Sequence, residues 1–275
     1  MKNIFVLILL LIYSKGIACD CSTPSAAIEF YEAEFVFTGK IFSKKYSKNN
    51  LTYTITFQID RHYKKNSSNP KLLKFTLKSD KNPNLTVTSC DWKVNKGEVW
   101  LVYARRYGKE LLFDYYCTNS MRLTNGKIPQ GYQKLLENGN LFKIDDYIYQ
   151  FEDCFNDTRP LSNIDSIFKQ EKGKEYDKAF TGLELFIDKK GDLISVIPSN
   201  QLIMMNDSVF YLVKDFIIEK DKKLTEFQKD AINVALKIKK WEIKKHRKTR
   251  VPVSYFKHLN IEYDKKEMLW KYDLR

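Results

Sequence analysis

The chain has 275 residues, with 47 Lys and Arg against 34 Asp and Glu, so its formal net charge is +13. Because 43% of the residues are hydrophobic and 14% are aromatic, the chain can bury a substantial core, which excludes wholesale disorder. The basic excess is spread along the chain, which argues against a nucleic-acid-binding stripe and favours a general attraction to anionic surfaces of the cell envelope.

The first 18 residues are typical of a cleavable secretion signal. Lys2 supplies the positive charge, residues 4–13 form an unbroken apolar run, and Gly16 and Ala18 place small residues before the cleavage point. The run is shorter than the roughly 20 residues that a membrane-spanning helix needs. We therefore predict export to the periplasm, the cell surface or the medium, with a mature chain that begins at Cys19. A retained anchor and a lipid on Cys19 are the alternatives.

Cysteine usage agrees with an oxidising compartment, where thiols normally pair as disulfides. The five cysteines are an odd number, so one of them stays a thiol, pairs between chains or is modified. They are Cys19, Cys21, Cys90, Cys117 and Cys154.

After the leader, the pattern predicts one short helix and then strands. Thr23 and Pro24 are typical of an N-cap followed by proline at the first helical position, and the helix would run through Ala26, Ala27 and Phe30. Alternating β-branched and aromatic residues then predict at least five strands at hairpin-like spacing. These are 35–41, 52–59, 72–77, 99–103 and 111–116. One helix and five strands suit a small closed barrel.

Regularity is lost over residues 125–175, which we predict to be a connecting segment with one or two short helices. It returns with two strands, 180–187 and 193–198, around a glycine-containing turn. A helix over 224–240 with Thr225 as its N-cap follows, and then a strand over 251–263.

Three stretches of sequence connect residues 19–124 with a known family. Residues 33–41 read AEFVFTGKI, residues 90–104 read CDWKVNKGEVWLVYA, and residues 116–120 read YCTNS. Together with a Cys-x-Cys start, they resemble the netrin-like module of the tissue inhibitors of metalloproteinases (TIMPs). The resemblance implies an OB-type barrel that is stapled to its own N-terminus by the pairs Cys19–Cys90 and Cys21–Cys117.

In that family, the N-terminal ridge enters a protease cleft, and the first cysteine chelates the catalytic zinc. The resemblance therefore implies a protease-contact ridge of Cys19, Asp20 and Cys21, with Cys19 as the chelator of a partner's zinc. Asp20 stands where the inhibitors carry Ser or Thr, and an ionised carboxylate is costly to bury in an apolar pocket. The alternative, which the departure at Asp20 favours, is that the two bridges serve only as staples for the barrel.

Residues 176–275 carry a second pattern. Residues 185–196 read LFIDKKGDLISV, Lys240 and Trp241 follow the helix, and residues 251–256 read VPVSYF. This pattern resembles the C-terminal domain of TonB-like proteins. The resemblance implies a small α+β domain with a helix packed on one face of an antiparallel sheet, and residues 199–223 as an insertion. The whole chain would thus be mainly β with an α+β part.

Catalytic and metal-binding signals are weak. His62, His246 and His258 match no paired-ligand spacing, so each is predicted to be a surface residue, and we expect no catalytic residue, no metal site and no cofactor. Cys154 is left over by the two implied pairings, and a structural or intermolecular role is expected for it.

The densest basic run follows the second-domain helix. It is either a solvated helix end or a surface that docks onto anionic cell-wall polymer or lipid headgroups, and Trp241 belongs to the core in both cases. The patch residues are Lys239, Lys240, Lys244, Lys245, Arg247, Lys248 and Arg250.

The sequence therefore predicts an exported, two-domain, non-enzymatic envelope protein that binds a protein partner. The first alternative is inhibition of a zinc metalloprotease through Cys19. The second is TonB-like coupling to outer-membrane transporters. No nucleic-acid partner is expected.

Overall fold

The computed structural model describes residues 21–66, 68–81 and 92–275. The described residues are mainly β, with 39% strand and 18% helix, and their sheets are built from antiparallel pairs apart from one short parallel pairing. The chain divides into two compact units, unit 1 up to Leu141 and unit 2 from Phe142 to Arg275. The division falls inside the segment 125–175 that the sequence predicts to be a connection.

The described residues of unit 1 form one sheet with short helices. Its strands follow the order β3-β2-β1-β4-β5, and β6 also pairs with β4. Its elements are α1 (Ala26–Glu32), β1 (Phe35–Tyr46), β2 (Thr52–His62), β3 (Leu72–Lys78), β4 (Val99–Tyr107), β5 (Glu110–Leu112), β6 (Met121–Arg122), a 3-10 turn (Thr124–Gly126), α2 (Gln130–Asn138) and a 3-10 turn (Gly139–Leu141).

A buried aromatic core of unit 1 lies on one face of this sheet. Phe37, Phe57 and Phe75 are at most 2% exposed, because alternate residues of β1, β2 and β3 point to the same side. Phe75 of β3 and Phe113, which follows β5, contact each other with ring centroids 5.6 Å apart. The two ends of the sheet therefore approach each other, although no sheet closes into a barrel within the described residues.

Two boundaries in unit 1 differ from the sequence prediction. Helix α1 begins at Ala26 rather than at Pro24, because the Pro24 carbonyl accepts a hydrogen bond from Asn119 Nδ2 instead of joining the helix. The strand expected over 111–116 ends at Leu112. There the Asp114 carboxylate accepts hydrogen bonds from the backbone N–H groups of Tyr115 and Tyr116 and forms a turn.

Unit 2 combines a larger sheet, a two-stranded ribbon and two helices. The larger sheet has the order β13-β12-β8-β9, with β7 parallel to β12, and β10 pairs with β11 in the ribbon. Its elements are a 3-10 turn (Ile144–Asp146), β7 (Ile148–Tyr149), α3 (Ile164–Gln170), β8 (Phe180–Ile187), β9 (Leu193–Pro198), a 3-10 turn (Ser199–Gln201), β10 (Leu202–Asn206), β11 (Val213–Ile218), α4 (Glu226–Ala235), β12 (Ser254–Asp264) and β13 (Leu269–Leu274).

Helix α4 covers one face of the larger sheet. Thr225 and Gln228 form a reciprocal capping box at its start, as the sequence pattern predicts for Thr225. Its apolar stripe is fully buried against Leu183, Leu185 and Leu259 of β8 and β12. Burial of each large apolar side chain contributes about 1.5–3 kcal/mol, so this face contributes substantially to the stability of unit 2. The stripe is Phe227, Ala231, Val234 and Ala235, and the buried Ile238 follows just after the end of the helix.

The helix is shorter than the predicted span 224–240. It ends at Ala235, and the chain then turns so that Trp241 is 1% exposed, with its backbone N–H donating to the Gly191 carbonyl and its Nε1 donating to the Ile238 carbonyl. Trp241 is thus a core residue, as predicted. No helix among the described residues combines the length and apolarity needed to cross a membrane.

The ribbon β10–β11 occupies the segment 199–223 that was expected to be an insertion. Phe216 packs on Phe186 and Phe256, with ring centroids 5.0 and 5.3 Å apart. The ribbon therefore covers the larger sheet around Phe186 and Phe256, on the face opposite α4. The sequence pattern did not predict this cover.

Candidate functional site

A disulfide between Cys21 and Cys117 holds the N-terminal segment, residues 21–24, against unit 1. The two Cα atoms are 5.7 Å apart and the residues are separated by 96 positions in the chain. This is the pairing that the TIMP resemblance implies. In the chain-entropy model, closing a loop of this length stabilises the fold by about 4–5 kcal/mol.

Asn119, two residues after the bridge, ties three elements together. Its Nδ2 donates to the Pro24 carbonyl at 2.9 Å and to Glu29 Oε2 at 2.7 Å. Its Oδ1 accepts from the Tyr132 hydroxyl of α2 at 3.0 Å. The N-terminal segment is therefore held by one covalent bond and one hydrogen-bonded side chain, which fixes its direction as well as its position.

Glu29 of α1 is the buried charge beneath this segment, at 0% exposure. Its Oε2 also accepts from the backbone N–H of Asn119 at 2.6 Å, and Arg105 Nη2 lies 3.9 Å from Oε1. Burial, and then the nearby Glu29 charge, raise the pKa of Tyr103 and of Tyr132. Both phenols thus remain protonated near this carboxylate.

The first residues of the segment face solvent. Cys21, Ser22 and Thr23 are exposed, while Pro24 is half-buried. The predicted signal peptide (1–18), Cys19 and Asp20 of the predicted ridge, and the implied Cys19–Cys90 bridge lie outside the described residues. An exposed segment that is held in one conformation loses little conformational entropy on binding, so this arrangement suits a protein contact.

The residues of the predicted basic patch differ in exposure and in pairing. Lys239, Arg247, Lys248 and Arg250 are exposed, Lys245 is half-buried, and Lys240 forms an ion pair with Asp192. Lys244 does not belong to the exposed surface.

Lys244 is 5% exposed. Its Nζ donates to the Gln150 carbonyl at 3.1 Å and lies over the ring of Tyr255. Burial, and then the charge of Lys257, lower its pKa. The patch is thus smaller than the sequence suggests, because one of its lysines is used inside unit 2.

The three histidines behave differently from one another. His62 and His258 are half-buried, but His246 is 0% exposed, so the prediction of a surface residue is wrong for His246. Its ring packs on Phe155 and its Nδ1 lies 2.9 Å from the Thr249 hydroxyl, inside a tight loop that buries it. Within the described part of the chain, no group of three or more His, Cys, Asp or Glu side chains is arranged to hold a metal ion. Cys154 is half-buried and is present as a thiol.

A polar network on the sheet of unit 2 was not predicted. Glu184 Oε1 accepts from the Ser199 hydroxyl at 2.9 Å and lies 2.7 Å from His258 Nδ1. His258 Nε2 is 3.0 Å from Asn260 Oδ1. Glu184 and His258 face each other across β8 and β12, so only the strand register, and not their spacing in the chain, brings them together.

No protein-family model matches the chain, and no curated protein matches it. The family resemblances therefore depend on the quoted residues, and the function depends on the geometry given above.

Proposed function

We propose that this protein is an exported, non-enzymatic, protein-binding module that works in the periplasm, at the cell surface or in the medium. In this proposal unit 1 is an OB-type, netrin-like or TIMP-like domain, and unit 2 is a TonB C-terminal-like domain. The N-terminal segment is the contact surface for the partner.

The observation that carries the proposal is the exposed segment beside the Cys21–Cys117 bridge. Its side chains at Ser22 and Thr23 face solvent, while the bridge and Asn119 fix the backbone on either side of them. A flexible terminus would have to be ordered during binding, and each residue ordered costs about 1–2 kcal/mol of backbone entropy. In this protein the segment is already ordered by folding, so binding does not have to order it.

Two features support the proposed layout of the units. The strand order is β3-β2-β1-β4-β5, and Phe75 and Phe113 are in contact from opposite ends of the sheet, which is compatible with a partly open OB-type sheet. In unit 2, α4 lies on an antiparallel sheet built from β8, β9 and β12, as the TonB resemblance implies.

Site-specific photo-cross-linking in the cells that make the protein tests the proposal. A photoreactive residue at Ser22 should capture a small set of envelope proteins, whereas the same residue at the exposed Lys266 of unit 2 should not capture them. The double variant Cys21→Ser/Cys117→Ser releases the segment and should reduce the captured set. Identical capture at Ser22 and Lys266 would reject the proposal.

Inhibition of a zinc metalloprotease is the second candidate, and the Cys21–Cys117 pairing favours it. In this version the amino group and carbonyl of Cys19 chelate the partner's zinc, and Asp20 enters the specificity pocket. Protein that starts at Cys19 should inhibit zinc proteases, and one extra alanine before Cys19 should abolish the effect. Absence of inhibition by the native terminus across a broad panel would end this candidate.

TonB-like coupling is a third candidate, which the helix-on-sheet arrangement of unit 2 favours. It predicts that residues 1–18 are retained and that unit 2 cross-links to outer-membrane transporters. A mature chain that begins at Cys19, with no transporter adducts from unit 2, would reject it.

A further inference from the structure

An aromatic pocket opens on unit 1 beside β4. Trp100 lies on β4, Arg122 of β6 pairs directly opposite it, and Tyr115 belongs to the turn two residues before Cys117. The pocket has a volume of about 200 Å³, and a cavity of about 150 Å³ already holds a benzene molecule. It is lined by Trp92, Lys93, Glu98, Trp100, Tyr115 and Arg122.

The aromatic walls of this pocket pack against one another and on the core. The rings of Trp100 and Tyr115 meet nearly at right angles, with centroids 5.7 Å apart and an interplanar angle of 83°. Trp92 lies 6.1 Å from Tyr115, and Phe113 packs edge-on behind both tryptophans at 5.0 and 5.3 Å. Because Phe113 is 5% exposed and belongs to the core, the walls are held in place from behind, while Tyr115 is 43% exposed and faces solvent.

Glu98 is fully engaged inside the pocket. Its Oε2 accepts from Trp100 Nε1 at 3.1 Å, and its Oε1 accepts from Asn95 Nδ2 at 2.9 Å and from Arg122 Nη1 at 3.3 Å. Burial opposes its ionisation, but these hydrogen bonds outweigh burial, so the pKa of Glu98 is lowered. Its negative charge is therefore matched by Arg122.

The charge that remains at the rim is positive. Lys93 is exposed, and the Arg122 side chain is 64% exposed, so the guanidinium can present further N–H donors to a ligand. A carboxylate can bind a guanidinium through two parallel hydrogen bonds. A cationic ligand would instead meet the like charges of Lys93 and Arg122.

We infer that this pocket takes an aromatic side chain of a protein partner, and that a carboxylate next to that side chain pairs with Arg122. This inference rests on the proposed protein-binding function and specifies the partner as an acidic, aromatic segment. Trp, Tyr and Arg are the residues that most often dominate binding energy at protein interfaces, and they supply the walls and the rim here.

Small probes added to the purified full-length protein test the inference without the partner. N-acetyl-phenylalanine carries the aromatic ring and the carboxylate, N-acetyl-phenylalaninamide lacks the charge, and benzyltrimethylammonium reverses it. The indole N–H signals of Trp92 and Trp100 report binding by NMR, and the buried Trp241 of unit 2 is the internal reference.

We expect N-acetyl-phenylalanine to shift the two unit 1 signals with a dissociation constant on the order of 1 mM, because small ligands bind weakly. Arg122→Gln should weaken this binding about tenfold, and Tyr115→Ala should weaken it as well, whereas the matched control Arg61→Gln should not. The inference would be overturned if the ammonium probe bound more tightly than N-acetyl-phenylalanine. It would also be overturned if neither Arg122→Gln nor Tyr115→Ala weakened the binding of N-acetyl-phenylalanine.

The two proposals can fail separately. If Ser22 still captures envelope proteins but N-acetyl-phenylalanine shifts neither indole signal, the protein-binding function stands and the pocket inference is rejected. If the probe binds as expected but Ser22 and Lys266 capture the same proteins, the pocket inference survives as a ligand site and the proposed function is rejected.

Discussion

Asn119 is the residue whose removal tests the N-terminal anchoring most sharply. Asn119→Ala deletes one hydrogen bond to the buried carboxylate of Glu29 and two neutral ones, to the Pro24 carbonyl and from the Tyr132 hydroxyl. A hydrogen bond to a charged group contributes about 1.5–3 kcal/mol and a neutral one about 0.5–1.5 kcal/mol. We therefore expect the free energy of unfolding of unit 1 to fall by about 3–5 kcal/mol.

The loss can be measured by hydrogen exchange with mass spectrometry, with the disulfide intact, on peptides that cover residues 22–34. Peptides from unit 2 serve as the internal reference, because the two units need not unfold together. Asn138→Ala is the matched control. Its amide makes one exposed hydrogen bond, to the Lys134 carbonyl, so its effect should stay within about 0.5 kcal/mol. A loss below about 1 kcal/mol for Asn119→Ala would refute the proposed anchoring.

Three further variants test other parts of the account. Tyr103→Phe removes a buried hydroxyl that has no hydrogen-bond partner among the described residues, so the melting temperature of unit 1 should rise; a fall would reveal a hidden partner. Burial tends to raise the pKa of the Asp230 carboxyl group. Hydrogen bonds from Lys174 and from the Tyr176 hydroxyl outweigh burial, so the pKa is lowered. The stabilising effect of Asp230 is therefore present above the unfolded value of about 3.9 and is lost as the pH falls through the lower folded pKa. In urea denaturation, Asp230→Asn should be less stable than the parent at neutral pH and lose less stability on acidification; equal acid sensitivity would contradict this assignment. Gly191→Ala should lower the stability of unit 2 by at least about 1 kcal/mol in the same assay, because Gly191 has φ +78° and a Cβ there would meet the Trp241 carbonyl oxygen; an unchanged midpoint would show that the turn can relax.

Strands and turns with strong local patterns were predictable from the sequence. The predicted bounds of β8 and β9 agree with the structure, because their alternation is regular and the intervening turn needs a glycine at positive φ, which Gly191 supplies. The capping box at Thr225 was likewise a local signal.

Elements that depend on distant partners were not predicted. Strands β10 and β11 are short and half-exposed, and they are stabilised by packing of Phe216 on the larger sheet rather than by their own pattern. Strand β13 was missed for a similar reason, since Trp270 is buried by stacking on Phe227, 5.3 Å away. Tertiary packing decides such segments more than propensity does.

In the candidate site, too, some features could be predicted from the sequence and others depend on distant contacts. The Cys21–Cys117 pairing followed from a family resemblance, but the contact between Glu29 and Asn119 joins residues 90 positions apart and has no local signal. Glu29 lies in a short helix where a glutamate is normally solvated, so only the fold reveals that it is buried. The aromatic pocket likewise requires the pairing of β4 with β6, which places Arg122 opposite Trp100.

Non-reducing peptide mapping of the protein purified from its own cells tests the central claim most directly. The account predicts a mature chain that starts at Cys19, a Cys21–Cys117 cross-link that fixes the N-terminal segment, and a second cross-link between Cys19 and Cys90. Recovery of Cys117 as a thiol, or bonded to Cys90, would contradict it, because the segment that we propose as the binding surface would then be untethered.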